Sequence, residues 1–248
     1  MKNEKIVCII QARMGSTRLP GKVLMELDGV PLLDIMLPRV KNSKLIDQVI
    51  IATSDKAKDN PIVEFCKSKN YDYFRGSEGD VLLRYFQCAK KYNADVIVRL
   101  TADCPLIDPK IIDKVIKLYY EEDVDYAANT VPPKTNRYPD GSDVEVFSFK
   151  GIFEIEKKTT DVKDREHVTF PFWKGNHGFK TAQLNNKFNW GKFRITVDYP
   201  QDIDVIDYIL KNLKKNNEFG FLEEIIDILE SSPEIFSKNS KYFQGMNW

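Results

Sequence analysis

Little in this chain suits a metal cluster or a disulfide framework. Its 248 residues include four cysteines and two histidines. Cys8, Cys66, Cys88 and Cys104 show no C-x-x-C spacing and no histidine close by, which excludes the usual pattern of structural zinc. Cys8 and Cys66 fall within apolar patterns, where free cysteine behaves as a small buried hydrophobe, and such usage fits a reducing compartment. No apolar run is long enough for a signal peptide or a membrane span, and Met1-Lys2-Asn3-Glu4-Lys5 leads straight into a strand. The expectation is a cytoplasmic protein without membrane contact. An excess of one charge is missing too. The 37 basic and 37 acidic residues give a formal net charge of +0, which argues against a broad nucleic-acid surface. Any affinity for phosphate must be local. No repeat or low-complexity linker divides the chain, so a single domain is expected.

What is present is concentrated in one loop. Ile6-Val7-Cys8-Ile9-Ile10 reads as a strand buried on both faces, as in a parallel sheet flanked by helices. Directly after it, Gln11-Ala12-Arg13-Met14-Gly15-Ser16-Thr17-Arg18-Leu19-Pro20-Gly21-Lys22 carries three cations, two glycines and two hydroxyls. Ligands of α/β proteins sit at the carboxyl ends of such strands. Gly15 and Gly21 let backbone N–H groups turn toward an anion, and Arg13, Arg18 and Lys22 supply charge-assisted hydrogen bonds. The loop is suited to polyphosphate.

Strand and helix patterns then alternate. A helix is expected from Pro31 to Val40, kinked or shortened at Pro38, followed by a strand Val49-Ile50-Ile51-Ala52 and a helix from Pro61 to Lys69 opened by Asp59 or Asn60. Tyr71 to Phe74 reads as a short strand. Ser77, three residues before Asp80, resembles a helix cap, and Val81, Leu82, Tyr85, Ala89 and Tyr92 continue at helical spacing. Val96 to Thr101 is another strand and Pro109 to Tyr120 another helix. Such βαβ units imply a mostly parallel sheet, and right-handed crossovers bring Arg13, Thr53 and Asp103 to one edge of it. The second half is less regular. Three prolines mark Thr130 to Gly141 as a long loop, Asp143 to Phe147 alternates as a half-buried strand does, and Phe193 to Val197 is an apolar strand leading to Asp198. One more helix is expected from Phe221 to Leu229. The aromatic tail, with Tyr242, Phe243 and Trp248, is expected to pack on the domain or on a partner chain.

The first loop resembles the signature of the cytidylyltransferases that make CMP-sugars: the 3-deoxy-manno-octulosonate and acylneuraminate enzymes and, more closely, the branch named after spore-coat polysaccharide protein F. Further matches follow in order: Ala52-Thr53-Ser54-Asp55, Arg75 to Leu82, Arg99 to Leu106, Pro139-Asp140-Gly141-Ser142-Asp143-Val144-Glu145-Val146, Arg165-Glu166-His167-Val168-Thr169, and Val197 to Asp202. They reach to about residue 213. The resemblance implies a Rossmann-like α/β fold of the nucleotide-diphospho-sugar transferase (GT-A-like) type, with a small lobe for sugar binding and dimerisation. It implies a nucleotide-binding half over residues 1–128, a sugar-binding half over 129–213 within a domain ending near 230, and a C-terminal tail from 231 to 248.

The implied reaction is attack of an acidic sugar's hydroxyl on the α-phosphorus of CTP, with release of pyrophosphate, for the synthesis of surface polysaccharide or glycan. Arg13, Lys22, Asp103 and Asp198 would carry it. Asp103 and Asp198 match the positions where the family places its Mg2+ carboxylates, and magnesium needs only a few carboxylates beside water and substrate phosphate. Read as plain structure, Asp103 caps a turn before Pro105 and Asp198 caps a helix beginning at Pro200. Asp202 reads as a favourable charge at a helix start and stays outside the metal set. Nucleotide contacts are implied for Gln11, Ala12, Arg13, Gly15, Ser16, Lys22, Thr53, Ser77, Asp80 and Thr101. The acceptor would meet Arg137, Asp140, Asp143, Glu145, Arg165, Glu166 and His167. His167 has three open readings: a base, a contact to the sugar acid, or plain packing. A homodimer is implied, paired through Pro139 to Phe149.

Two features depart from the pattern. Gly79 and Ser142 stand where many relatives carry an acidic residue and a leucine. Ala102-Asp103-Cys104-Pro105 replaces the Gly-Asp-x-Pro turn of the octulosonate enzymes, which weakens the transfer of their sugar specificity. A sugar-1-phosphate nucleotidyltransferase and a nucleotide-sugar glycosyltransferase share the architecture, although Thr101-Ala102-Asp103 offers one aspartate where glycosyltransferases show Asp-x-Asp. The alternative outside enzymology is a nucleotide-binding protein without turnover.

Overall fold

The computed structural model describes residues 4–174, 177–216 and 219–242. In chain order the strands are β1 (Ile6–Gln11), β2 (Glu26–Leu27), β3 (Val30–Pro31), β4 (Gln48–Ser54), β5 (Tyr73–Gly76), β6 (Val96–Thr101), β7 (Tyr126–Ala128), β8 (Glu145–Ser148) and β9 (Thr181–Gln183). The helices are α1 (Leu32–Lys41), α2 (Asn60–Ser68), α3 (Val81–Lys91), α4 (Pro109–Glu121), α5 (Phe149–Lys158), α6 (Val162–His167), α7 (Phe170–Trp173), α8 (Pro200–Asn216), α9 (Leu222–Glu230) and α10 (Pro233–Ser240).

Seven strands form one sheet in the order β5-β4-β1-β6-β8-β7-β9, while β2 and β3 pair as a separate hairpin. Parallel pairing joins β5, β4, β1 and β6, as the βαβ reading requires, and β8 alone runs antiparallel to its neighbours β6 and β7. Alternation along β1 explains its continuous apolar run. Cys8 and Ile10 face a core built with α1, α4, α8 and α9, whereas Val7 and Ile9 face a core built with α3, α5 and α7. Both faces are dry, so every residue from Ile6 to Ile10 is buried.

Several elements differ from their sequence pattern. Helix α1 continues past Pro38 to Lys41, with Leu37 and Val40 still in the core, because packing of its apolar face offsets the one missing backbone donor. Asp59 precedes α2 without capping it by its side chain. Instead it accepts from the backbone N–H of Met14 at 2.7 Å and from the Ser54 hydroxyl, pinning the first loop to β4. Phe193 to Val197 forms no strand. It is buried and makes a single bridge, Asp140 to Arg194.

Within the segment Pro139 to Phe149, expected to pair subunits, Asp140, Asp143, Ser148 and Phe149 keep partial exposure. Val144, Val146 and Phe147 are fully buried beneath the helices. The strand β8 lies between β6 and β7 in the sheet, with both of its edges paired. Within the tail, α10 packs on α8 and α9, and Tyr242 stacks on Tyr199 with ring centroids 4.0 Å apart. Phe243 and Trp248 lie outside the described residues. Among the described residues no helix is long and apolar enough to cross a membrane.

The approach to β8 depends on Gly141, at φ +97°. A Cβ there would stand 2.3 Å from the Thr196 backbone nitrogen and 2.6 Å from the Ile195 carbonyl carbon. Gly141→Ala is expected to destabilise the chain by more than about 1 kcal/mol, read as a lower urea midpoint. An unchanged midpoint would contradict this packing.

Candidate active site

The carboxyl ends of β1, β4 and β6 lie side by side, with Gln11 in register with Ala52 on one side and Thr101 on the other. Because β8 is antiparallel, its beginning reaches this same edge, and Glu145 pairs across from Arg99. The resulting cavity holds about 250 Å³. Its lining includes Gln11, Arg13, Arg99, Thr101, Asp103, Asp140, Asp143, Glu145, Glu166, His167 and Asp198, with Val81, Val131, Phe170 and Trp173 as apolar wall.

At the loop side, Gly21 (φ +74°) turns the chain so that the Lys22 side chain points inward and is buried. Its ammonium donates to Asp103 Oδ2 and to Asp198 Oδ1, each at 2.7 Å. Burial disfavours the Lys22 charge, but the two carboxylates outweigh it and raise the affinity for the proton. Burial likewise opposes ionisation of Asp103, and Lys22 overcomes it, so that carboxyl titrates below its usual range. Two carboxylates thus converge on one cation position. Among the described residues no group of three or more His, Cys, Asp or Glu is arranged to hold a metal. A pair of hard oxygen donors open to solvent and substrate fits magnesium, which keeps several non-protein ligands.

Arg194 organises the other side. Its guanidinium binds Asp202 through Nε and Nη2 at 3.0 Å each, reaches Asp198 through Nη2 at 3.1 Å, and pairs with Asp140 through Nη1. Asp202, fully buried, also accepts from the backbone N–H of Asp198 and Tyr199 at the start of α8. It is a structural cap and counter-ion, in keeping with its place outside the metal set. Sequence reasoning missed Arg194 and Arg99. The signal was a single arginine inside each apolar run, Phe193 to Val197 and Val96 to Thr101, since a charge in such a run is retained only when paired.

Arg99 pairs with Glu145, whose other oxygen accepts from Tyr126 and Thr169 hydroxyls at 2.6 Å each. His167 stacks on Phe170 at 4.2 Å, and burial lowers its affinity for the proton, which favours neutral imidazole. The Cys104 thiol is held protonated by burial and by nearby Asp103.

Other nominated residues shape the cavity from outside its lining. Ala12 is buried and bonds through its backbone to Ala52, and Ser16 Oγ accepts from the Leu19 N–H at 3.3 Å. Gly15 lies beside the Lys58 ammonium, with 3.2 Å between it and an added Cβ. Thr53 is buried below the loop. Ser77 accepts from the Asp80 N–H, Asp80 caps α3 through the Leu83 N–H, and Asp80 also binds Arg165 at 2.6 Å. Arg165 therefore ties α6 to α3 and does not line the cavity. Arg137 is turned away as well, donating to the Lys187 carbonyl at 3.1 Å.

A basic loop faces two convergent aspartates, Asp103 just after β6 and Asp198 just before α8, and residues 7–241 match the family model described as cytidylyltransferase. The chain belongs to the cytidylyltransferase family. It is a CTP-dependent nucleotidyltransferase by that membership. An uncharacterised protein of Methanocaldococcus jannaschii is 37% identical over 97% of this chain and 96% of its own length. Spore coat polysaccharide biosynthesis protein SpsF of Bacillus subtilis is 32% identical over 92% of this chain and 95% of its own. A shorter match, 35% identical over 45% of this chain and 43% of the relative, is the 3-deoxy-manno-octulosonate cytidylyltransferase of Pelobacter propionicus. The solved structure of a cytidylyltransferase from Leptospira borgpetersenii superposes with a TM-score of 0.86 at 32% identity, covering 94% of this chain and 97% of that one.

Within this cytidylyltransferase, burial and neighbouring Asp143 push the Asp140 carboxyl up to about 7 despite its contact with Arg194. An unfolded aspartate titrates near 3.9 (roughly). Between these values the folded chain holds more protons than the unfolded one, so the group lowers stability as pH rises. Asp140→Asn is expected to flatten that slope, by no more than about 1.4 kcal/mol per pH unit, when urea denaturation is followed through this window. An unchanged slope would return Asp140 to an ordinary carboxylate.

Proposed function

We propose that this cytidylyltransferase transfers CMP from CTP to a hydroxyl of an acidic sugar of the ulosonic class, releasing pyrophosphate, with Mg2+ held by Asp103 and Asp198. The observation that carries the reading is the convergence of those two carboxylates on one cation position beside the basic loop, each 2.7 Å from Lys22 Nζ. Magnesium, when bound there, would neutralise charge on the phosphates. Arg13 and Lys22 grip the triphosphate, and the loop amides near Gly15 and Ser16 add donors. The acceptor hydroxyl gives up its proton to solvent as its oxygen bonds to the α-phosphorus and the bond from that phosphorus to the bridging β-phosphate oxygen breaks, releasing pyrophosphate; holding both partners in line supplies much of the rate gain.

For the acceptor, support comes from the cavity beyond Thr101. Asp140, Asp143 and Glu166 line it as acceptors for sugar hydroxyls, while Arg99 supplies a cation for an anionic group and Trp173 and Phe170 an apolar wall. The name of the octulosonate relative points to the same class, and that of the spore-coat relative to a role in polysaccharide synthesis. Cytoplasmic location and a homodimer complete the proposal.

The test is CTP-dependent pyrophosphate release across a panel of acidic sugars. Asp103→Ala is expected to lower turnover at least about a hundredfold, the scale of losing one charge-stabilising group, with the thermal transition retained. Full activity in that variant would remove Asp103 from the site. Pyrophosphate release only from UTP or dTTP with a sugar phosphate would overturn the cytidylyl reading.

A further inference from the structure

Lys22 does more than wait for phosphate. It is buried, and its ammonium sits between Asp103 Oδ2 and Asp198 Oδ1 at 2.7 Å from each. The chain segments that carry the two carboxylates are joined by contacts that do not involve Lys22. The Asp103 carbonyl accepts from the Val197 N–H at 2.8 Å and from Thr196 Oγ1 at 3.0 Å, which ties the two chain segments together. Arg194 holds the second oxygen of Asp198 at 3.1 Å, leaving Oδ1 to Lys22. These contacts keep Asp103 and Asp198 on adjoining segments independently of the ammonium.

We propose that Lys22 and a divalent cation compete for the same pair of carboxylates, so that the ligand-free enzyme keeps the metal position closed and the triphosphate opens it by drawing the ammonium away. This rests on the reading of Asp103 and Asp198 as the metal pair. A magnesium ion needs its oxygens at about 2.0–2.1 Å, only a little closer than they stand to Nζ. The ammonium and a metal ion cannot occupy that point together, since each would need the same two oxygens and the space between them. Removing Lys22 leaves Asp103 without its partner and makes the fork a stronger attractor for a divalent ion. The same removal deprives the triphosphate of a donor. Metal affinity without nucleotide and nucleotide affinity without metal thus move in opposite directions.

The experiment uses the full chain. Mn2+ binding is titrated by electron paramagnetic resonance without nucleotide, and CTP binding by calorimetry in EDTA, for wild type, Lys22→Met and Lys22→Arg. Lys22→Met is expected to bind Mn2+ roughly tenfold or more tightly than wild type, the scale of a coupling between two sites, and to bind CTP more weakly. Lys22→Arg, which keeps the charge, is expected to show no gain in Mn2+. The gain is expected to vanish in Lys22→Met combined with Asp103→Asn. A merely structural role for Lys22 would weaken both ligands together. Equal Mn2+ affinity in wild type and Lys22→Met would overturn the competition, as would a gain that survives Asp103→Asn. If Lys22→Met lacks a cooperative thermal transition, Lys22→Gln takes its place with the same expected outcomes. Failure here leaves CTP-dependent pyrophosphate release untouched, whereas absence of that release in wild type defeats the proposed function itself.

Discussion

Burial of charge governs this molecule. Lys22 and Arg194, both nearly without solvent contact, are stable only because Asp103, Asp140, Asp198 and Asp202 surround them. Breaking a buried pair by removing one partner is costly, because it strands the other in a medium that solvates it poorly. The network therefore makes distant segments fold as one: the loop after β1, the turn after β6, the long loop before β8 and the start of α8. Even α10 takes part, since the Asn239 side chain donates to Asp202 Oδ1 at 2.9 Å and to the Arg194 carbonyl at 3.2 Å. Residues that belong to the site are also residues that hold the halves together.

The same arrangement divides labour within the cavity. Parallel strands β1, β4 and β6 deliver their carboxyl ends to the phosphate loop, as in other open α/β sheets. The reversed strand β8 delivers its beginning to that edge, which is how Asp140, Asp143 and Glu145 come to face Asp103 and Arg99. One change of strand direction thus places the Asp140 to Glu145 segment beside the ends of the parallel strands. Arg39 secures the frame from below, donating to carbonyls of Leu106 and Ile107 after β6 and of Phe219 and Gly220 before α9.

Much of this was legible in the order of residues. Continuous apolar runs announced the buried parallel strands, helical spacing announced α3 and α4, and the glycines and cations between Gln11 and Lys22 announced an anion site, because each signal depends on neighbours along the chain. The pairing of Asp103 with Asp198 was accessible only through the resemblance, since nothing local tells one helix-capping aspartate from another. Arg137 and Arg165 show the limit clearly. Both had the right chemistry for a sugar acid, yet one reaches a loop carbonyl and the other caps the junction of α3 and α6 with Asp80.

Sequence by itself determined the α/β class, the parallel core, the place of a basic, glycine-bearing loop after β1 and the carboxylates available to meet it. Tertiary structure alone decided which charges meet. Strand direction turned the segment from Asp140 to Glu145 into cavity lining, and the geometry of one turn at Gly21 put Lys22 between two aspartates. The physical reason is range: hydrophobic periodicity and turn chemistry act over a few residues, whereas a buried ion pair joins groups as far apart as Lys22 and Asp198 and exists only once the chain has folded around it.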